Sequence, residues 1–124
     1  MAFVAMVVDD SATIRSQASR VLAAAGFEVI QASDGVDGLE KLGTRTDVVF
    51  VLCDVNMPRM DGLEFVEILS KRAEGMPAVI MLTTEGRPEL IRRAKASGAR
   101  SWMIKPFKPE VLAAAAKSFI PAAA

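Results

Sequence analysis

Three aspartates, a threonine and a lysine stand where apolar runs end and buried strands would surface into turns. Asp9 and Asp10 end the run Phe3 to Val8, Asp54 ends Val48 to Cys53, and Thr83 and Lys105 end two further runs. Carboxylates gathered in one place repel one another, so at least one takes a raised pKa unless a cation joins them. The chain has no histidine, and an all-oxygen ligand set favours Mg²⁺ over zinc or copper. Asp9, Asp10 and Asp54 are the candidate ligands, and the backbone carbonyl of Asn56 offers a further oxygen. A hydroxyl at Thr83 and a mobile ammonium at Lys105 suit the neutralisation of a phosphoryl group's charge. The chemistry this set points to is phosphoryl transfer, with Asp54 attacking phosphorus in line to give an aspartyl phosphate.

Such a site needs elements that bring distant strand ends together. Short apolar runs at Phe3–Val8, Phe27–Ile30, Val48–Cys53, Ala78–Leu82 and Ser101–Ile104 read as five strands. Between them apolar residues recur at helical spacing: Ile14, Ala18, Val21, Leu22 and Ala25; then Leu63, Val66, Leu69 and Ala73; then Leu90, Ile91 and Ala94. A shorter helix fits Val36–Leu42 and a last one Pro109–Phe119, ended by Pro121 and an alanine tail expected to fray. Gly26, Gly43, Gly75 and Gly98 follow four of these helices where a left-handed cap is wanted. Alternating strand and helix predicts an α/β domain with a parallel sheet covered on both faces. In such a sheet ligands bind beyond the carboxyl ends of the strands, where the strand order reverses, and all the candidate residues lie at that edge.

Composition narrows the rest. At 124 residues and 52% apolar content, one domain with a two-face core is expected, residues 1–120, with a short tail at 121–124. Fifteen basic and fifteen acidic side chains cancel, so no global field draws the chain to nucleic acid or to an anionic membrane. The single cysteine, Cys53, excludes an internal disulfide and suits a reducing cytoplasm. No uncharged run approaches a membrane span, and the absence of histidine excludes His-based triads and a phosphohistidine carrier.

Four segments together resemble the receiver domain of two-component response regulators, of the single-domain chemotaxis type. They are Val8-Asp9-Asp10-Ser11, Asp54-Val55-Asn56-Met57-Pro58 running on to Met60-Asp61-Gly62, Leu82-Thr83-Thr84-Glu85, and Lys105-Pro106-Phe107. The resemblance implies a flavodoxin-like, doubly wound five-stranded sheet of order 2-1-3-4-5 flanked by five helices. It implies that Asp54 is the phosphoacceptor, and that Asp10, Asp54 and the Asn56 carbonyl hold Mg²⁺ with Asp9 reaching the ion through water. Thr83 and Lys105 would ligate the phosphoryl oxygens, across a cis peptide between Lys105 and Pro106. Asn56 and Glu85 take the positions that govern water's access to the acyl phosphate, and Thr84, larger than the usual small residue, is expected to crowd the group. Trp102 stands where many members carry the tyrosine or phenylalanine of the switch, so the switch geometry differs by a bulkier ring.

By the same resemblance the chain accepts phosphate from a sensor histidine kinase or a histidine phosphotransfer protein. The chain, a monomer or weak dimer, signals by changing the face that carries Ile91, Trp102 and Ile104, to which a downstream protein such as a flagellar switch component binds. It is then a signalling phosphoacceptor and not an enzyme acting on other substrates. Three other readings stand beside this one. The chain is a phosphate sink or relay, a Mg²⁺-dependent phosphatase with an aspartyl nucleophile, or a binding module working through the basic segment Arg87, Arg92, Arg93, Lys95 and Arg100.

Overall fold

Alternation of strand and helix runs the length of the computed structural model, which describes residues 3–84 and 86–120. The order is β1 (Phe3–Val8), α1 (Ala12–Ala24), β2 (Phe27–Ala32), α2 (Gly35–Leu42), β3 (Val48–Asp54), α3 (Gly62–Ser70), β4 (Ala78–Thr83), α4 (Pro88–Ala96), β5 (Ser101–Ile104) and α5 (Pro109–Lys117). All neighbouring strands pair in parallel, in the order β2-β1-β3-β4-β5. The expected fold class and strand order therefore hold.

Period-two alternation divides the core into two layers. Val4, Met6, Val8, Val51, Cys53, Val79 and Met81 face Leu42 of α2, Leu63, Val66 and Leu69 of α3, and Ala94 of α4. Ala5, Val7, Phe50, Leu52, Ile80 and Leu82 face Ala18 and Leu22 of α1 and Leu112 and Ala116 of α5. Both faces of the central strands are thus covered, which is why their sequences are nearly continuous in apolar residues. A fully buried side chain such as Phe50 or Leu52 contributes about 1.5–3 kcal/mol, so the strand ends rise from a rigid platform.

Local chemistry sets the helix starts. Ser11 Oγ accepts from the Ile14 amide at 3.3 Å, Asp34 Oδ1 from the Asp37 amide at 2.8 Å and Asp61 Oδ1 from the Glu64 amide at 2.9 Å. These bonds satisfy amides that have no intrahelical partner. Pro88 and Pro109 open α4 and α5, where a missing N–H costs nothing.

Several element ends differ from expectation. The strands at Phe27, Val48 and Ala78 run on to Ala32, Asp54 and Thr83, so Asp54 and Thr83 are the last residues of their strands. The third helix stops at Ser70, leaving Ala73 in the loop beyond it. Gly75 does have φ 97°, but its amide closes a turn onto Arg72 at 3.2 Å, past the helix end. The last helix ends at Lys117, and the tail at 121–124 lies outside the described residues. No helix among the described residues is long and apolar enough to cross a membrane.

Candidate functional site

The chain winds away from β1 in both directions, to β2 on one side and β3 on the other. The crevice at their carboxyl ends is the switch point of the sheet. Val8 pairs with Cys53 in the β1–β3 register, so Asp9 and Asp54, each the next residue, emerge side by side. Carboxylate oxygens of Asp9, Asp10 and Asp54 all lie within 4.8 Å of one another. Asp9 and Asp54 are buried at 1% and 5% exposure, whereas Asp10 is exposed at the rim.

Thr83 and Lys105 arrive from the far side of β3. Thr83 is buried at the end of β4, and its carbonyl accepts the Lys105 amide at 2.8 Å, which ties the turn after β5 to β4. The Lys105 ammonium reaches back to within 3.0 Å of Asp9 Oδ2 and 3.4 Å of Asp54 Oδ2. The peptide between Lys105 and Pro106 is cis, as expected, and Pro106 itself is exposed.

The electrostatics are those of a crowded acidic pocket with one cation. Burial, and then the Asp9 carboxylate, push the Asp54 carboxyl up to about 6, against the pull of Lys105 and the Val55 amide. Burial also opposes the Lys105 ammonium, but the carboxylates of Asp9 and Asp54 outweigh it and hold its pKa above the ordinary lysine value.

The two buried carboxylates are anchored by one oxygen each. Asp9 Oδ1 accepts from the Ser11 amide at 2.8 Å, and Asp54 Oδ1 accepts from the Val55 amide at 2.8 Å. The other Asp9 oxygen is buried without a well-aligned hydrogen bond and faces the Lys105 ammonium at 3.0 Å. A buried anionic oxygen left so, in an all-oxygen cluster, fits a hard divalent cation. Mg²⁺ is the ion this donor set suits.

Other expected residues take these places. Asn56 and Thr84 are exposed at the rim, after β3 and β4 respectively, and Glu85 lies outside the described residues. Trp102 is half-buried and packs with Leu90 against the core layer under α4, its Nε1 buried without a hydrogen-bond partner. Ile91 is half-buried, and Ile104 is 47% exposed. The structure therefore brings Asp9, Asp10, Asp54, Thr83 and Lys105 to one sheet edge and spreads Ile91, Trp102 and Ile104 over a separate face.

Sequence reading missed three supports of the site. Arg15 Nη1 donates to the Asp9 carbonyl at 2.6 Å, bracing the turn after β1. Gly62 packs so close to the Asp54 carbonyl that a Cβ there would collide with it, while its amide donates to the Val55 carbonyl at 2.8 Å. Arg59 grips Asp34 across 25 residues of sequence. An Asp-Gly pair is a turn signal in any sequence, but the close approach behind Asp61-Gly62 leaves no local trace. Nothing in the local sequence announces the two arginine contacts.

Comparison with known proteins agrees with this geometry. The response regulator receiver domain profile matches residues 5–117. Chemotaxis protein CheY1 of Helicobacter pylori is 38% identical over 110 residues, which cover 86% of this chain and 88% of that protein. The solved structure of Vibrio cholerae chemotaxis protein CheY4 superposes with a TM-score of 0.89 at 37% identity, covering 97% of this chain and 100% of that one. A CheX–CheY–BeF₃–Mg²⁺ complex from Borrelia burgdorferi gives a TM-score of 0.86 at 26% identity, covering 96% and 90% of the two chains. With sheet order, acidic crevice and sequence in agreement over nearly the whole length, the chain belongs to the response regulator receiver domain family.

Proposed function

We propose that Asp54 is the phosphoacceptor of a chemotaxis-type response regulator and that the protein signals in the cytoplasm through phosphorylation-dependent binding. The observation that carries this reading is the placement of Asp54. Its carboxylate ends the central strand, within 4.8 Å of two other carboxylates and 3.4 Å from the Lys105 ammonium. Likeness to chemotaxis regulators supports the pathway.

The chain's own residues account for each part of the transfer. The Asp54 oxygen not held by the Val55 amide, Oδ2, attacks phosphorus in line, the bond from phosphorus to the donor histidine's nitrogen breaks, and the electron pair stays on that nitrogen, which takes a proton from solvent as the neutral imidazole departs. Asp9, Asp10, Asp54 and the Asn56 carbonyl would hold Mg²⁺, which supplies charge neutralisation to the phosphoryl oxygens. Lys105 is placed to move from the carboxylates to the incoming phosphoryl group, and Thr83 to donate its hydroxyl from the other side. Asn56, Thr84, Glu85 and Pro106 border the crevice in sequence and would govern how readily water reaches the acyl phosphate.

The downstream consequence is a change of surface. A partner that prefers one shape of the face bearing Ile91, Trp102 and Ile104 draws the population toward that shape. The Borrelia burgdorferi complex pairs a related protein with CheX in the presence of BeF₃ and Mg²⁺, and a protein partner of that general kind, or a flagellar switch component, would take the signal from this chain. The phosphatase alternative loses ground to family membership. The relay alternative differs only in lacking a downstream partner.

Intact mass after incubation with acetyl phosphate tests the proposal. One phosphoryl adduct that requires both Mg²⁺ and Asp54 is expected, and an adduct of equal yield in Asp54→Ala would reject it.

A further inference from the structure

Arg59 is the one non-glycine residue with positive φ among those described, at 64°. The Met60 amide donates to the Pro58 carbonyl at 2.7 Å across it, which closes a three-residue turn of the rarer, strained kind. An L-residue in this left-handed region costs about 1–2 kcal/mol, and glycine would sit there without that cost. The arginine must therefore supply something that glycine does not.

What it supplies is a fork onto Asp34. Arg59 Nε donates to Asp34 Oδ2 at 2.8 Å and Nη2 to Oδ1 at 3.1 Å, the bidentate geometry that distinguishes arginine from lysine. Asp34 is buried at 4% exposure and at the same time caps α2 through the Asp37 amide. The Arg59 guanidinium, followed by the Asp37 amide, holds the Asp34 carboxyl below its ordinary range in spite of burial. Beside this pair the Gly35 amide donates to the Met60 carbonyl at 3.3 Å. A Cβ on Gly35 would stand 2.8 Å from Met60 Cγ. The tip of the loop from Val55 to Asp61 is thus seated on the turn before α2, while the Gly62 amide on the Val55 carbonyl closes its base. Between tip and base lie the Val55 amide that orients Asp54 and the carbonyl of Asn56.

We propose that the Asp34–Arg59 clasp fixes this loop for metal binding and phosphoryl acceptance, so that Arg59 is a positioning residue acting through Asp34. The inference rests on the phosphoacceptor reading above, but its first readout does not. Calorimetric titration of Mg²⁺ into wild type, Arg59→Gly, Asp34→Asn and the double variant measures the clasp directly. Glycine relieves the strained φ, and asparagine keeps the helix cap, so both variants are expected to melt cooperatively; either alone decides the matter should the other not fold.

Each single substitution is expected to weaken Mg²⁺ binding on the order of tenfold, as loss of a residue that supports metal ligands does. The double variant is expected to be no weaker than the singles, because both remove one shared interaction. Arg59→Lys, which keeps the charge and loses the fork, is expected to fall between. Arg59→Gly or Asp34→Asn binding Mg²⁺ as tightly as wild type would overturn the clasp, even where wild type takes phosphate on Asp54. A wild type that binds Mg²⁺ but accepts no phosphate would reject the phosphoacceptor reading, while the affinities of the variants still decide the clasp for the metal. A wild type that binds no Mg²⁺ would overturn both.

Discussion

Lys105 reaches Asp54 from a different strand end, with 3.4 Å between ammonium and carboxylate, and it is the cation that offsets the buried acidic pair Asp9 and Asp54. Lys105→Met leaves those two carboxylates uncompensated. Removal of one partner from a buried pair costs about 3–5 kcal/mol, and Lys105 is 15% exposed, so the lower part of that range is expected. Urea unfolding in EDTA is the measurement. Added Mg²⁺ should recover more stability in the variant than in wild type, since the ion then meets the less neutralised pocket.

The raised pKa of Asp54 makes the metal-free protein sensitive to pH. Burial and the Asp9 carboxylate push the folded carboxyl up to about 6 from an ordinary 3.8, so the native state holds this proton more tightly than the unfolded chain. The contribution favours folding fully below about 3.8 and is lost as pH rises through about 6. Asp54→Asn removes it. In EDTA the stability of Asp54→Asn relative to wild type should grow from pH 4 to pH 7, by up to about 3 kcal/mol at 1.36 kcal/mol for each pKa unit. Saturating Mg²⁺ should abolish the advantage.

Gly62 separates a packing requirement from a conformational one. A Cβ there meets the Asp54 carbonyl, which cannot withdraw without moving β3, whereas Gly26 has φ 100° and open space around its Cβ position. Gly26→Ala should cost about 1–2 kcal/mol, the strain of an L-residue at positive φ. Gly62→Ala should cost more, about 2–3 kcal/mol by overpacking, and should also impair phosphorylation by shifting Asp54. Chemical denaturation of the two variants side by side checks the ranking.

Trp102 buries an indole N–H that has no hydrogen-bond partner, a burden of about 1–3 kcal/mol. Trp102→Phe removes the donor along with part of the ring. The two effects offset, so a stability change within about 1 kcal/mol is expected, where truncation of a well-satisfied core tryptophan costs more. Thermal melts of the two proteins decide it.

The amino-acid sequence carried the strand order only by resemblance, but the strand ends themselves were plain in the apolar runs. Asp54, Thr83 and Lys105 were legible because each closes an apolar run of the sequence. The last turns of strands and helices were not, since Ala32 and Thr83 extend their strands through pairing with neighbours and not through local preference. Arg59 was invisible for a related reason: its partner is 25 residues away, and a turn containing Pro58 and Gly62 has no local need of arginine. Asp10 was grouped with Asp9 by adjacency, and its carboxylate does join the cluster, though from the exposed rim where Asp9 is buried.

Borohydride trapping tests the central claim most directly. An acyl phosphate on an aspartate is reduced at its carbonyl carbon with loss of phosphate, leaving homoserine, and peptide sequencing by mass spectrometry then names the residue. After treatment with acetyl phosphate and Mg²⁺, homoserine is predicted at position 54 and at neither 9 nor 10. Homoserine at Asp9 or Asp10, or none anywhere in a protein that carries the phosphoryl mass, would contradict the assignment of Asp54 as the phosphoacceptor.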